Sequence, residues 1–86
     1  MVSLLEKREK LLAHYANRAY VAQNAELLRR IRGATSQALV ALMADVAQSY
    51  ISRVESGSTA GIGADPLRRI LAVYKELEEC SRILTA

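Results

Sequence analysis

The stretch from Ser36 to Gly57, SQALVALMADVAQSYISRVESG, constrains this chain more than any other. Val40, Ala41 and Ala44 recur at helical spacing over 36–44, and Ile51 and Val54 do so after residue 48. Only Asp45, Val46 and Ala47 lie between, so the stretch reads as one short helix, a tight turn and a second short helix. Ser36 is placed to cap the first helix, with Gln37 as its first helical residue. The second opens with a hydroxyl- and amide-rich cluster, Gln48, Ser49, Tyr50, Ser52 and Arg53. Leu39, Leu42 and Met43 form a second apolar face on the first short helix, which calls for a cover.

The remainder of the chain is helical by pattern. Leu4, Leu5, Leu11, Leu12, Tyr15 and Ala19 recur at helical spacing, predicting a helix over 3–19 that Ser3 caps with Glu6 three residues on. Its apolar stripe is the expected cover for Leu39, Leu42 and Met43. A second helix is expected from Tyr20 to Arg32, with Leu27, Leu28 and Ile31 inward, Arg29, Arg30 and Arg32 outward, and Gly33 as its stop. The arginines fit two readings, a solvated face that complements the helix C-terminus or a contact to a phosphate backbone. SGSTAGIGA at 56–64 is a loop by composition. A flexible connector is the favoured reading, and a phosphate contact through its N–H groups the other. Asp65 followed by Pro66 predicts a helix start with aspartate as cap and proline in the first turn. The stripe that follows, Leu67, Ile70, Leu71, Tyr74, Leu77, Cys80 or Ser81, and Leu84, predicts a helix over 65–85 that is longer than a small core requires.

With 86 residues, half of them hydrophobic but only four aromatic, the chain is expected to be one all-α domain, a compact bundle of about five helices. Twelve Lys and Arg stand against nine Asp and Glu, and seven of the basic residues lie before residue 34, a bias that permits nucleic-acid binding without demanding it. Cys80 is the single cysteine and His14 the single histidine, so neither an internal disulfide nor a metal site is expected. No catalytic arrangement is visible: there is no Ser-His-Asp set and no paired carboxylates. No enzyme activity and no cofactor are expected. The charged start and the lack of a long apolar run point away from a membrane and toward the cytoplasm.

Residue by residue, the 36–57 stretch resembles the helix-turn-helix of the XRE family, the family of the Cro and CI phage repressors. Gln37 stands where that family has glutamine, Val40 and Ala41 on its apolar-then-small pair, and Val46 and Ile51 on the apolar positions around the second helix start. Val54, Glu55 and Gly57 match its closing pattern, and the resemblance extends over roughly residues 24–78 with the neighbouring helices. It implies a sequence-specific DNA-binding transcriptional regulator, with Gln37 addressing a phosphate and Gln48, Ser49, Ser52 and Arg53 facing the major groove. Tyr50 either lies along a phosphate or packs. Glu55 is expected to be structural, held by an internal arginine. Two positions depart from the family: Asp45 stands in place of the turn glycine, and Ala47 in place of a Ser or Thr cap. Residues 3–19 lie outside the resemblance as an added helix.

Small repressors of phages and plasmids, including Kor-type regulators, are the subgroup this size resembles. The expected partner is a palindromic duplex operator bound by a homodimer that acts as a repressor. Its interface is expected from the surplus apolar residues Tyr74, Leu77, Cys80, Ile83 and Leu84 of the last helix. A small protein-interaction module, such as an antitoxin or chaperone, and an activating controller of a restriction system are the competing readings.

Overall fold

A computed structural model describes the backbone of residues 3–85 and the side chains of residues 3–81. Among these residues there are four helices and no strand: α1 (Leu4–Arg32), α2 (Gln37–Ala44), α3 (Gln48–Glu55) and α4 (Ala64–Thr85). The two N-terminal helices expected from periodicity are one, which lowers the number from five to four. No glycine or proline occurs between Ser3 and Gly33 to stop it. A kink at Asn24 (φ −125°, ψ 20°) bends α1 instead, and the Asn24 side-chain amide donates to the Tyr20 carbonyl at 2.9 Å.

The helix ends follow local chemistry. The Ser3 hydroxyl accepts from the Glu6 N–H and the Ser36 hydroxyl from the Leu39 N–H, each at 3.1 Å. Gly33 closes α1 at φ +53°, its N–H bonded to the Arg29 carbonyl. Asp65 does not cap α4: the helix begins at Ala64, and the Asp65 carboxylate turns along the first turn to Arg68 and Arg69.

Every helix contributes to one core. Val21 and Leu28 of α1, Val40, Ala41 and Ala44 of α2, Ile51 and Val54 of α3, and Leu67, Ile70, Val73 and Tyr74 of α4 are all buried. Ile62 joins them from the connector, so 56–64 is anchored at its far end rather than a simple tether. Three further hydrogen bonds hold it: Ser58 N–H to the Arg53 carbonyl, the Arg53 guanidinium to the Ala60 carbonyl, and the Arg18 guanidinium to the Thr59 hydroxyl. Gly57 turns the chain out of α3 at φ +85°, a conformation that strains any side chain.

Three expectations about burial are overturned. α1 does not cover the second face of α2, since Leu39, Leu42 and Met43 stay 47, 77 and 47 % exposed. In its first half Lys10, Ala13, His14 and Asn17, opposite the leucines, line a cleft beside α4, and of these only His14 and Asn17 are half-buried. Tyr74, assigned from its spacing to a subunit interface, is a core residue at 1 % exposure. Leu27 also differs from the inward orientation expected, being largely exposed. No helix among the described residues is long and apolar enough to cross a membrane.

Candidate nucleic-acid interface

The joint between α2 and α3 is made by a residue that helices disfavour. Asp45 sits at φ 55°, ψ 53°, the left-handed conformation where glycine is easiest, and its N–H bonds the Ala41 and Leu42 carbonyls. The Arg69 guanidinium reaches across from α4 and donates to the Ala44 and Asp45 carbonyls at 2.9 and 3.2 Å, while pairing with Asp65 in its own helix. One side chain thus fastens the end of α2 to α4 and neutralises its negative pole. Ala47 then occupies the N-cap position of α3 with extended backbone and no side-chain hydrogen bond, as its lack of a hydroxyl dictates.

Beyond that turn α3 buries one side and exposes the other. Ile51, Val54 and Glu55 are buried, whereas Gln48, Ser49, Ser52 and Arg53 are exposed. At 100° per residue these four occupy one continuous face, opposite the core. Tyr50 is half-buried and packs against the core at the margin of that face. The Arg53 guanidinium lies 5.7 Å from the centre of its ring and donates to the Ala60 carbonyl at 3.2 Å. Arg53 is therefore drawn toward the 56–64 connector at one edge, leaving Gln48, Ser49 and Ser52 as the freely presented polar groups of α3.

The floor of this unit is a buried ionic cluster. Glu55, 3 % exposed at the end of α3, accepts from Arg32 Nε at 2.5 Å and Arg32 Nη2 at 2.9 Å. It also accepts from Gln37 Nε2 at 3.0 Å and the Tyr74 hydroxyl at 2.5 Å. Arg32, expected to point outward, turns in and also donates to the Thr35 carbonyl at 2.8 Å. It is the internal arginine that Glu55 calls for. Burial alone pushes the Glu55 carboxyl up, but donation from Arg32, Tyr74 and Gln37 outweighs it and holds the group below its usual range. The hydrogen bond to Glu55 raises Arg32 further, and burial followed by that same carboxylate pushes the Tyr74 hydroxyl up. All four helices meet at this one carboxylate. Gln37, half-buried at the N-terminus of α2, is thereby set at a fixed distance from α3.

Of the residues expected at a subunit contact, Tyr74 belongs to this cluster, Leu77 is half-buried against the core and Cys80 is exposed. Ile83 and Leu84 lie outside the residues whose side chains are described. Tyr74 and Arg69 are structural partners that sequence periodicity does not disclose. Tyr74 reads as one more apolar residue of a stripe, and Arg69 as surface charge beside Asp65.

No curated protein and no solved structure matched the chain. The profile of the helix-turn-helix family matches residues 28–79, more than half of the chain, and spans the end of α1, both short helices, the connector and most of α4. With α2 and α3 joined by a three-residue turn, α3 exposing one polar face, and the profile fitted across the whole unit, the chain belongs to the helix-turn-helix family of XRE type, whose domains bind DNA.

Proposed function

We infer that the chain is a sequence-specific transcriptional regulator that places α3 in the major groove of duplex DNA. The observation that carries this reading is the exposed polar face of α3, Gln48, Ser49 and Ser52, held on a rigid base by the Glu55 cluster. Glutamine can bond adenine through two hydrogen bonds and serine can serve a base edge or the backbone. Gln37 supplies the phosphate contact at the N-terminus of α2. With Nε2 committed to Glu55, its carbonyl oxygen cannot bond an anion, so the phosphate is met by the second amide hydrogen and the first N–H groups of α2. Arg53 leaves the Ala60 carbonyl and turns to a base or phosphate on binding, a low-cost exchange of one exposed hydrogen bond for a charge-assisted one.

A single α3 reads only a few base pairs, so discrimination among genomic sites calls for two copies on a palindromic operator, with half-sites about one turn or a multiple apart. The regulator acts as a repressor, occupying its site without a further catalytic step. Selection of bound sequences from a random duplex pool tests the reading: it should return a short inverted repeat. Recovery of unrelated sequences at physiological salt would leave non-specific binding or a protein-interaction role in its place.

A further inference from the structure

The first half of α1 is amphipathic with the wrong side out. Leu4, Leu5, Leu11, Leu12 and Tyr15 are 85, 62, 53, 55 and 55 % exposed, and at 100° per residue they fall within about 120° of arc. The opposite side, with Lys10 and Ala13 exposed and His14 and Asn17 half-buried, borders a cleft beside Ala64, Asp65 and Arg68 of α4. An amphipathic helix on a small domain normally buries its apolar side, and none of the described residues covers this one.

We propose that this cover is the same helix of a second copy, packed antiparallel about a two-fold axis between Leu11 and Leu12. The stripe is self-complementary in that arrangement. Leu11 of each copy meets Leu12 of the other. Arg8, the one charge within the stripe, lies over the exposed ring of the partner's Tyr15 as a cation on an aromatic face. Leu4 meets Ala19, where Tyr15, Arg18, Ala19 and Ala22 line a shallow groove with Gly57–Ala60, and Leu5 lies along the aliphatic stem of Arg18. A parallel pair in register would instead oppose Arg8 to Arg8 on the axis, which disfavours it.

The area suffices. Five large apolar side chains per copy present on the order of 500 Å² each way, so a pair covers on the order of 1,000 Å², where specific interfaces begin. The contact is isologous, as closed dimers require. Its end borders the 57–60 connector, and it leaves Gln48, Ser49 and Ser52 uncovered, because these lie on the side of α3 turned away from the core. The link to an operator rests on the DNA-binding reading, but the interface itself does not.

Sedimentation of the full chain at micromolar concentration, without DNA, is the test. The wild type should run as a dimer, and Leu11→Asp and Leu12→Asp should each halve the mass while keeping the helical circular dichroism, since both positions are exposed. Orientation is read by cross-linking in a Cys80→Ser background with a short bismaleimide. Leu12→Cys, next to the axis, should link to itself; Leu5→Cys, displaced from its mate by about 20 Å along the helices, should not. A monomeric wild type overturns the proposal, as does a dimer that survives both aspartate variants or equal cross-linking at residues 5 and 12. Because no DNA is present, loss of operator selection with an intact dimer would count against the regulator reading alone.

Discussion

Replacing Glu55 by Ala should unfold much of the protein although no large volume is lost. The carboxylate is 3 % exposed and accepts four hydrogen bonds, two of them from Arg32, whose side chain is 21 % exposed. Removing one member of a buried pair costs roughly 3–5 kcal/mol, because the other charge is left without compensation. Partial access of Arg32 to water moves this toward the lower figure. The Tyr74 hydroxyl, also stranded in a residue 1 % exposed, adds about 1–3 kcal/mol. A domain of 86 residues has a total stability of roughly 4–13 kcal/mol, so the variant should lose between a third and all of it. Tyr74→Phe removes only one donor to a charged acceptor and should cost about 1.5–3 kcal/mol. Urea unfolding followed by circular dichroism measures both, and the double variant Glu55→Ala with Tyr74→Phe gives the coupling between them. Losses below about 1 kcal/mol in both single variants, with an unchanged denaturant slope, would refute the claim that this cluster ties the four helices together.

Glu55 also sets the acid limb. Its folded value lies below the ordinary 4.5, so its stabilisation is present above that pH and is lost as pH falls through the lower folded value. Unfolding midpoints measured across pH 2–6 should therefore drop at the acid end, and Glu55→Gln should flatten the drop. Arg69→Ala should lower stability by about 1–3 kcal/mol in denaturant titrations by freeing the Ala44 and Asp45 carbonyls, with Arg68→Ala at the exposed neighbour nearly neutral. Ala47→Ser supplies the missing cap of α3 and should raise stability by about 1 kcal/mol, read as a higher urea midpoint at constant slope. In DNA binding, Gln48→Ala should cost about 1–3 kcal/mol on the selected site and relax one position per half-site, whereas Gln37→Ala should weaken all duplexes alike.

How much of this was legible beforehand follows from the range of each signal. Local signals carried well: the Ser3 and Ser36 caps, the left-handed Asp45, the uncapped Ala47 and both short helices are decided by residues within a turn of one another. The demand of Glu55 for an arginine is visible, and Arg32, four residues after the buried Leu28 and on the same face of α1, is the one of the three arginines that meets it. Periodicity marks Tyr74 as apolar without distinguishing a core position from a contact. The second apolar face of α2 is legible as needing a cover, but the α1 stripe expected to supply it does not, because a stripe does not say which way its helix is rotated. His14 and Asn17, half-buried, lie on the side toward α4, and the leucines face out. Asp65 and Pro66 located the start of α4 to within a residue, while ion pairing with Arg68 and Arg69 took the aspartate away from the cap.

The central claim is that α3 reads DNA sequence, and it is tested most directly by fluorescence anisotropy at physiological salt on a duplex selected from a random pool and on a shuffled duplex of the same composition. The account predicts that the wild type prefers the selected duplex by about 10³-fold or more, and that Gln48→Ala combined with Ser52→Ala, which leaves the buried face of α3 intact, removes most of that preference while retaining non-specific affinity. Equal affinity of the wild type for both duplexes, or a preference that survives the double substitution, would contradict it.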